Sequence, residues 1–314
     1  MYIIYPLFAV IIWSANAVVS KMAAGVIDPA AISFYRWFLA LVTLTPFVFM
    51  SVVRNWPTIR KYWWKLMTLG LLGMVLFQSL AYYSAQSVSA VFIGIFSSVI
   101  PLLTVLISII ILRTAPTLGV VLGSILSLVG LVWLVSAGDP TQLLHQGVGS
   151  GEFMLLCASA SYALYGVLIA HWAIKLPCWQ LLYMQIAFGV LLLLPNFLLT
   201  TDIKLNTQNI PLVLYAGIPA SIIAPYLWIL GVTRLGANIT AVLMNLTPVF
   251  TAIIAISFLN EKLMTYHLIG GSLTLAGVVL AQYLSNRANK HNRVSPHAAL
   301  NTDSHCILFT IKIK

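Results

Sequence analysis

Arg36 is the residue in this sequence with the most chemistry to offer, because it stands inside an apolar run, in Phe34-Tyr35-Arg36-Trp37. A charge within such a run is costly and faces the protein interior or water, which makes a functional role the first hypothesis. Its guanidinium could hold a carboxylate or phosphate by two parallel bonds. The plainer reading is that Arg36 lies about five residues, roughly 7–8 Å of helix, from the end of its run, close enough to snorkel or to pair with a carbonyl. The polar residues Asn16, Gln78, Ser97, Ser98, Asn245 and Thr247 lie in other apolar runs and offer donors and acceptors. Trp13, Tyr82, Tyr83, Tyr162, Tyr165, Tyr226 and Trp228 offer apolar walls. As a group they suit a cavity for a small amphipathic solute; singly, each reads as an interhelical hydrogen bond or a member of an interfacial aromatic belt. Lys21 reads as an interfacial anchor, as do the histidines His171 and His267 near opposite ends of their runs.

Other chemistry is not indicated. There are no paired carboxylates, no histidines at metal spacing and no glycine-rich phosphate loop, so neither an enzyme nor a cofactor or metal site is expected. The three cysteines, Cys157, Cys178 and Cys306, are odd in number and far apart, which speaks against a disulfide framework.

The elements that position these residues follow from composition. Only 7% of residues are charged and 61% are hydrophobic, with mean hydropathy +1.00. A soluble domain carries roughly a quarter charged residues, so this chain cannot build a water-facing surface. Apolar runs of about 20 residues recur throughout, the length of a bilayer-spanning helix, and they do not alternate as barrel strands would. Ten spans are expected, near 4–25, 31–53, 66–85, 89–112, 117–137, 151–171, 179–200, 211–231, 236–259 and 266–285. The first reads as a retained span, not a signal peptide, for want of a basic leader and a small-residue cleavage site. From Asn286 a polar, basic tail is expected to be disordered. The net charge of +10 does not point to nucleic acid, because the basic residues sit in short breaks between spans.

The chain also contains itself twice. Shifted by 147 positions, Ala90–Val132 falls on Ala237–Val279 without a gap, pairing Pro101 with Pro248, Thr104 with Thr251, Gly123 with Gly270 and Gly130 with Gly277. Shifted by 149, Trp13 falls on Tyr162, Arg36 on Gln185 and Pro46 on Pro195. Spans one to five then correspond to spans six to ten, and because five is odd the second half enters the membrane from the other side. This is an inverted-topology repeat, as in many secondary transporters. The halves are residues 1–137 and 151–285, joined by an outer linker 138–150 and followed by the tail 286–314. Pro101 and Pro248 each remove a backbone hydrogen bond, and their matched places suit kinks that open a cavity and serve as pivots. Pro219 and Pro225 have no partners in span three and read as local shape. The glycines at 119, 123, 130, 270 and 277 read as close helix-packing sites. With both termini cytoplasmic, the inner loops hold Arg54, Arg60, Lys61, Lys65, Arg113, Lys175 and Arg234, while the acidic residues other than Asp303 fall outside.

The sequence resembles the EamA-type branch of the drug/metabolite transporter superfamily. The resemblance rests on Trp13-Ser14 in span one, Arg36 early in span two, Pro101 and Pro248, the Leu-Asn-Glu-Lys turn at Leu259–Lys262, and Gly270 and Gly277. It covers nearly everything up to Leu284 and implies an all-α integral membrane protein of ten helices in two inverted five-helix repeats. The acidic turn is missing from the first half, where Arg113-Thr114 stands instead of Asn260-Glu261, and no transport role is expected for it. The function implied is a carrier in a bacterial inner membrane that moves a small organic solute, an amino acid or related metabolite, outward by alternating access. An uptake or exchange carrier for a nucleotide-like metabolite is the alternative, and a channel or membrane enzyme fits less well. The expected partners are the lipid bilayer and the solute; composition is silent on oligomeric state.

Overall fold

A computed structural model of the protein describes residues 2–97, 99–112, 118–141, 149–201, 203–235, 243–244 and 246–292. Every regular element among the described residues is helical. In chain order they are α1 (Ile4–Ala23), α2 (Pro29–Arg54), α3 (Trp56–Lys61), α4 (Trp63–Ser84), α5 (Ala90–Phe96), α6 (Val99–Leu112), α7 (Leu118–Val135), α8 (Ser150–Trp172), α9 (Cys178–Leu199), α10 (Ile210–Gly231), α11 (Thr247–Leu259) and α12 (Thr265–Asn292). Six of them, α1, α2, α4, α8, α9 and α10, are long and apolar enough to cross a bilayer. Large apolar side chains such as Phe47, Ile110, Leu198 and Leu199 stand 70% or more exposed on their outer faces. Such faces suit lipid contact, and the closed backbone hydrogen bonding of helices is what hydrocarbon demands.

Helix starts are written locally. Asp28 precedes Pro29 and accepts a hydrogen bond from the Ala30 N–H (2.7 Å), so α2 begins with a capping carboxylate and a proline in its first turn. Ser89 accepts from the Phe92 N–H (3.0 Å) at the start of α5. The same helix start has a distant partner. The two Glu261 oxygens accept from the Ala90 and Val91 N–H groups at 2.8 and 3.0 Å. Asn260, in the left-handed conformation (φ 52), turns the chain out of α11 so that Glu261 faces α5. The Leu-Asn-Glu-Lys turn therefore splices two helices together. Glu261→Gln should keep one acceptor and lose the other with its charge. A loss of about 1–2 kcal/mol of stability is expected, read from the thermal unfolding of purified protein.

Two apolar clusters hold the helices. In one, Trp37, Leu44 and Val48 of α2 pack with Tyr183, Ile186 and Leu193 of α9. In the other, Val91, Phe92 and Phe96 of α5 pack with Val18, Leu134 and Ala255. The closest approach joins α7 to α12, where small residues face one another. A β-carbon on Gly277 would lie 2.4 Å from the Ser127 nitrogen and 2.5 Å from the Gly123 oxygen. One on Gly130 would lie 2.5 Å from the Thr274 nitrogen. The packing role expected for Gly130, Gly270 and Gly277 is what these contacts describe.

Several boundaries differ from the sequence expectation. The run 89–112 is two helices, not one. It breaks after Phe96 and resumes at Val99, two residues before Pro101, whose missing N–H leaves the Ser97 carbonyl to accept from the Ile100 N–H instead (3.3 Å). Pro101 is the third residue of α6, and Pro248 is buried in the first turn of α11. The short helix α3, unforeseen, is pinned by Ile59, which is 1% exposed. The tail expected to be disordered from Asn286 continues as helix to Asn292, since Arg287 and Lys290 extend α12 without a breaker.

The widest departure is in α4 and α10. Each contains a π-helical turn, Leu71–Leu76 and Pro219–Ile223, and the 147-position shift places residues 72–76 of the first on the second. Position 72, which the shift places on Pro219, is a leucine, so Pro219 has no proline partner in span three and the matching turn there is made without one. An extra residue in a turn frees a carbonyl, and each turn gives one to a tryptophan. Trp37 Nε1 donates to the Met74 carbonyl at 2.8 Å and Trp13 Nε1 to the Ala220 carbonyl at 3.1 Å.

Candidate functional site

Arg36 lies seven residues into a helix that starts at Pro29, about 10 Å along its axis, and is 3% exposed. It does not snorkel, and its partners are side chains, not backbone carbonyls. Its Nε donates to Ser221 Oγ at 2.7 Å, and its Nη1 donates to Gln78 Oε1 and to the Tyr82 hydroxyl (3.3 Å). The guanidinium carbon sits 5.0 Å from the centre of the Trp37 ring. Ser221 is held in turn, donating to the Ala216 carbonyl at 2.7 Å across the π-helical turn of α10. The network therefore joins α2 and α4 of the first half to α10 of the second.

All three acceptors are neutral. A buried charge costs several kcal/mol unless it is paired, and each hydrogen bond to a charged group returns about 1.5–3 kcal/mol. The acidic residues are elsewhere: Asp28 caps α2, Glu261 caps α5, Glu152 lies in the first turn of α8 and Asp139 in the turn after α7. Asp202 and Asp303 lie outside the described residues. Among the described residues, Nε and Nη1 are engaged and Nη2 is the nitrogen left for an incoming oxygen. A two-bond grip on a carboxylate would require one neutral partner to be displaced.

Aromatic residues gather on either side. Tyr162 stacks on Tyr165 (5.4 Å between ring centres) and lies 4.4 Å from Phe77. The Tyr165 hydroxyl donates to Gln185 Oε1 at 2.9 Å, and its ring presses on Gly73, where a β-carbon would come within 2.9 Å. Trp13 and Trp228 are 5.5 Å apart, with the Trp13 indole bound beside Ser221. Gln185 and Arg36 are the pair related by the 149-position shift, and their backbones are approached alike. A β-carbon on Gly70 would lie 2.6 Å from the Gln185 carbonyl oxygen, and one on Gly217 would lie 3.1 Å from that of Arg36.

Of the residues the sequence singled out, the structure thus brings together Arg36, Gln78 and Tyr82, with Tyr162, Tyr165, Trp13 and Trp228 nearby. Asn16 is buried, and its Oδ1 is among the buried oxygens without a partner. Ser98 and Asn245 lie outside the described residues. Tyr226 is not part of the group; it stacks on Trp179 and is 41% exposed. Lys21 caps the end of α4 through the Ala85 carbonyl (2.9 Å). His267 accepts from the Met264 N–H through Nδ1 at 3.3 Å, and His171 is exposed at the end of α8. Sequence reasoning missed Ser221 and Gln185. A lone polar residue inside an apolar run was the available signal for each.

Comparisons with known proteins give the family and the fold. A model of the EamA-like transporter family matches twice, over residues 1–136 and 149–283. An uncharacterized transporter of Archaeoglobus fulgidus is 28% identical over 86% of this chain and 93% of its own. The uncharacterized transporter YyaM of Bacillus subtilis is 24% identical over 83% and 87%. A solved crystal structure, 18% identical and matching 91% of this chain and 97% of its own, superposes with a TM-score of 0.63 and shares the fold. The protein is an integral membrane protein and belongs to the EamA-like transporter family.

Proposed function

We propose that the protein is a secondary transporter of ten membrane helices in two inverted five-helix repeats, residues 1–137 and 151–285, which moves a small organic solute carrying an anionic group. The observation that carries this reading is Arg36, a buried guanidinium whose partners among the described residues are all neutral, bound at once to both halves. An amino acid or related metabolite fits the combination of one cation, hydroxyls, amides and aromatic walls; efflux across a bacterial inner membrane is the direction we favour. The matched π-helical turns and the matched Gly70 and Gly217 contacts support the repeat. Alternating access by rocking of the halves would make and break the Arg36–Ser221 bond, and Pro101 and Pro248 would serve as pivots.

Energy coupling follows from the same residues. A proton-coupled carrier needs an ionisable group along its path, and arginine stays protonated at any working pH. The described carboxylates cap helices or lie in turns, so transport runs down the solute's own gradient or by exchange. In liposomes, an imposed pH gradient without a solute gradient should drive no accumulation; accumulation abolished by a protonophore overturns this coupling. Orientation is tested separately. Single cysteines at Asn55 and Thr141 should react with an impermeant reagent from opposite faces, and same-side labelling would contradict the inverted repeat.

A further inference from the structure

The corner between α2 and α4 has a composition that transport does not use. No acidic residue occurs between Asp28 and Asp139, while the stretch 54–65 holds Arg54, Arg60, Lys61 and Lys65 among Trp56, Tyr62, Trp63 and Trp64. The Lys61 and Lys65 ammonium groups lie 5.8 and 5.7 Å from the centre of the same Tyr62 ring. Lys65 is also 5.6 Å from Trp64 and 5.4 Å from Trp172, the last residue of α8, and the two indoles are 5.2 Å apart. The rings stabilise the ammonium groups but do not neutralise them. The same end of the molecule is tied together by Gln180, which donates to the Ser51 carbonyl (3.0 Å) and accepts from Asn55 Nδ2 (2.9 Å). Trp56, Trp63 and Trp64 are about half exposed, while Ile59 between them is buried.

We propose that this face, with Lys61 and Lys65 about the Tyr62 ring and Lys65 beside the Trp64 and Trp172 indoles, binds the phosphate headgroup of an anionic phospholipid. Two like charges converging on one ring repel, and an anion between them relieves that repulsion. Exposed indoles prefer the boundary between headgroup and acyl chain, and cations beside them prefer anionic lipid. A phospholipid meets both demands at one depth; a soluble anion meets only the first. The bound headgroup spans α4 and α8, so it rests on both halves of the chain.

The test uses the purified full-length protein in detergent, offered equal amounts of phosphatidylglycerol and phosphatidylcholine and read by native mass spectrometry. Phosphatidylglycerol should be retained on the order of tenfold more, from about fivefold per cation at a membrane surface. Lys61→Gln with Lys65→Gln should bring the two lipids to parity while the protein still elutes as a single gel-filtration species. Equal retention by the unaltered protein overturns the proposal, as does a preference that survives the double substitution. Displacement of phosphatidylglycerol by equimolar inorganic phosphate would also overturn it, by showing a site for free anions. Should the double variant fail to fold, Lys65→Gln alone decides: loss of more than half the preference supports the site, and an unchanged preference contradicts it.

Discussion

Arg36→Gln is expected to lower transport of anionic solutes by about 10- to 100-fold while leaving uncharged solutes nearly unaffected. A hydrogen bond to a charged group is worth about 1.5–3 kcal/mol, and 1.4 kcal/mol is a factor of ten. Glutamine keeps a neutral donor near Gln78, Tyr82 and Ser221, so the surrounding helices lose little. Because the guanidinium has no carboxylate partner among the described residues, its removal also lifts a desolvation cost, and thermal stability should stay level or rise. A purely structural Arg36 would give the reverse pattern, with stability and transport of every solute falling together. Initial rates in liposomes, set beside unfolding midpoints of the same preparations, separate the two. Arg36→Lys should fall between, because the ammonium keeps the charge but cannot reach Ser221 and Gln78 at once.

Gly277→Val should be the most damaging packing change. The new side chain would begin 2.4 Å from a backbone nitrogen and 2.5 Å from a backbone oxygen of α7, atoms that cannot turn aside as a flexible side chain can. The helices must separate along their whole small-residue seam, which loses the contacts of Gly123, Ser127 and Gly130 together. The expected loss is at or above about 3 kcal/mol, the upper range for overpacked cores. It should appear as a collapse of the monodisperse yield in detergent. Gly166→Ala is the control: a β-carbon there meets nothing within 4 Å, and the unfolding midpoint should stay or rise slightly. A normal yield from Gly277→Val would mean that α7 and α12 do not pack as described.

Much of this architecture is legible in the sequence because it rests on local rules. Apolar length marks the spans, Asp28-Pro29 and Ser89 mark helix starts, and the 147-position shift carries Gly123 and Gly130 onto Gly270 and Gly277. Arg36 stands out for the same reason, as one charge among apolar neighbours. Gln78 and Tyr82 stand out too, but their pairing with Arg36 does not, nor does Ser221, because these residues lie 42, 46 and 185 positions away. The π-helical turns are equally hidden. Nothing in Leu71–Leu76 announces an extra residue per turn, which is stabilised by an indole from another helix. Glu261 reads as an acidic turn until α5 is seen to begin on its carboxylate, 171 positions back in the chain. Contacts of that range are set by packing, and a single sequence records only their endpoints.

The central claim is that Arg36, whose partners among the described residues are neutral, receives the anionic group of a transported solute. The most direct measurement is counterflow of matched solutes in liposomes containing the purified protein. Each carboxylic acid of a panel of amino acids and small metabolites is compared with its own uncharged amide. The account predicts that at least one acid is exchanged, that its amide is exchanged at least tenfold more slowly, and that Arg36→Gln removes this difference. Equal exchange of acid and amide by the unaltered protein, or a preference for the acid that survives Arg36→Gln, would contradict it.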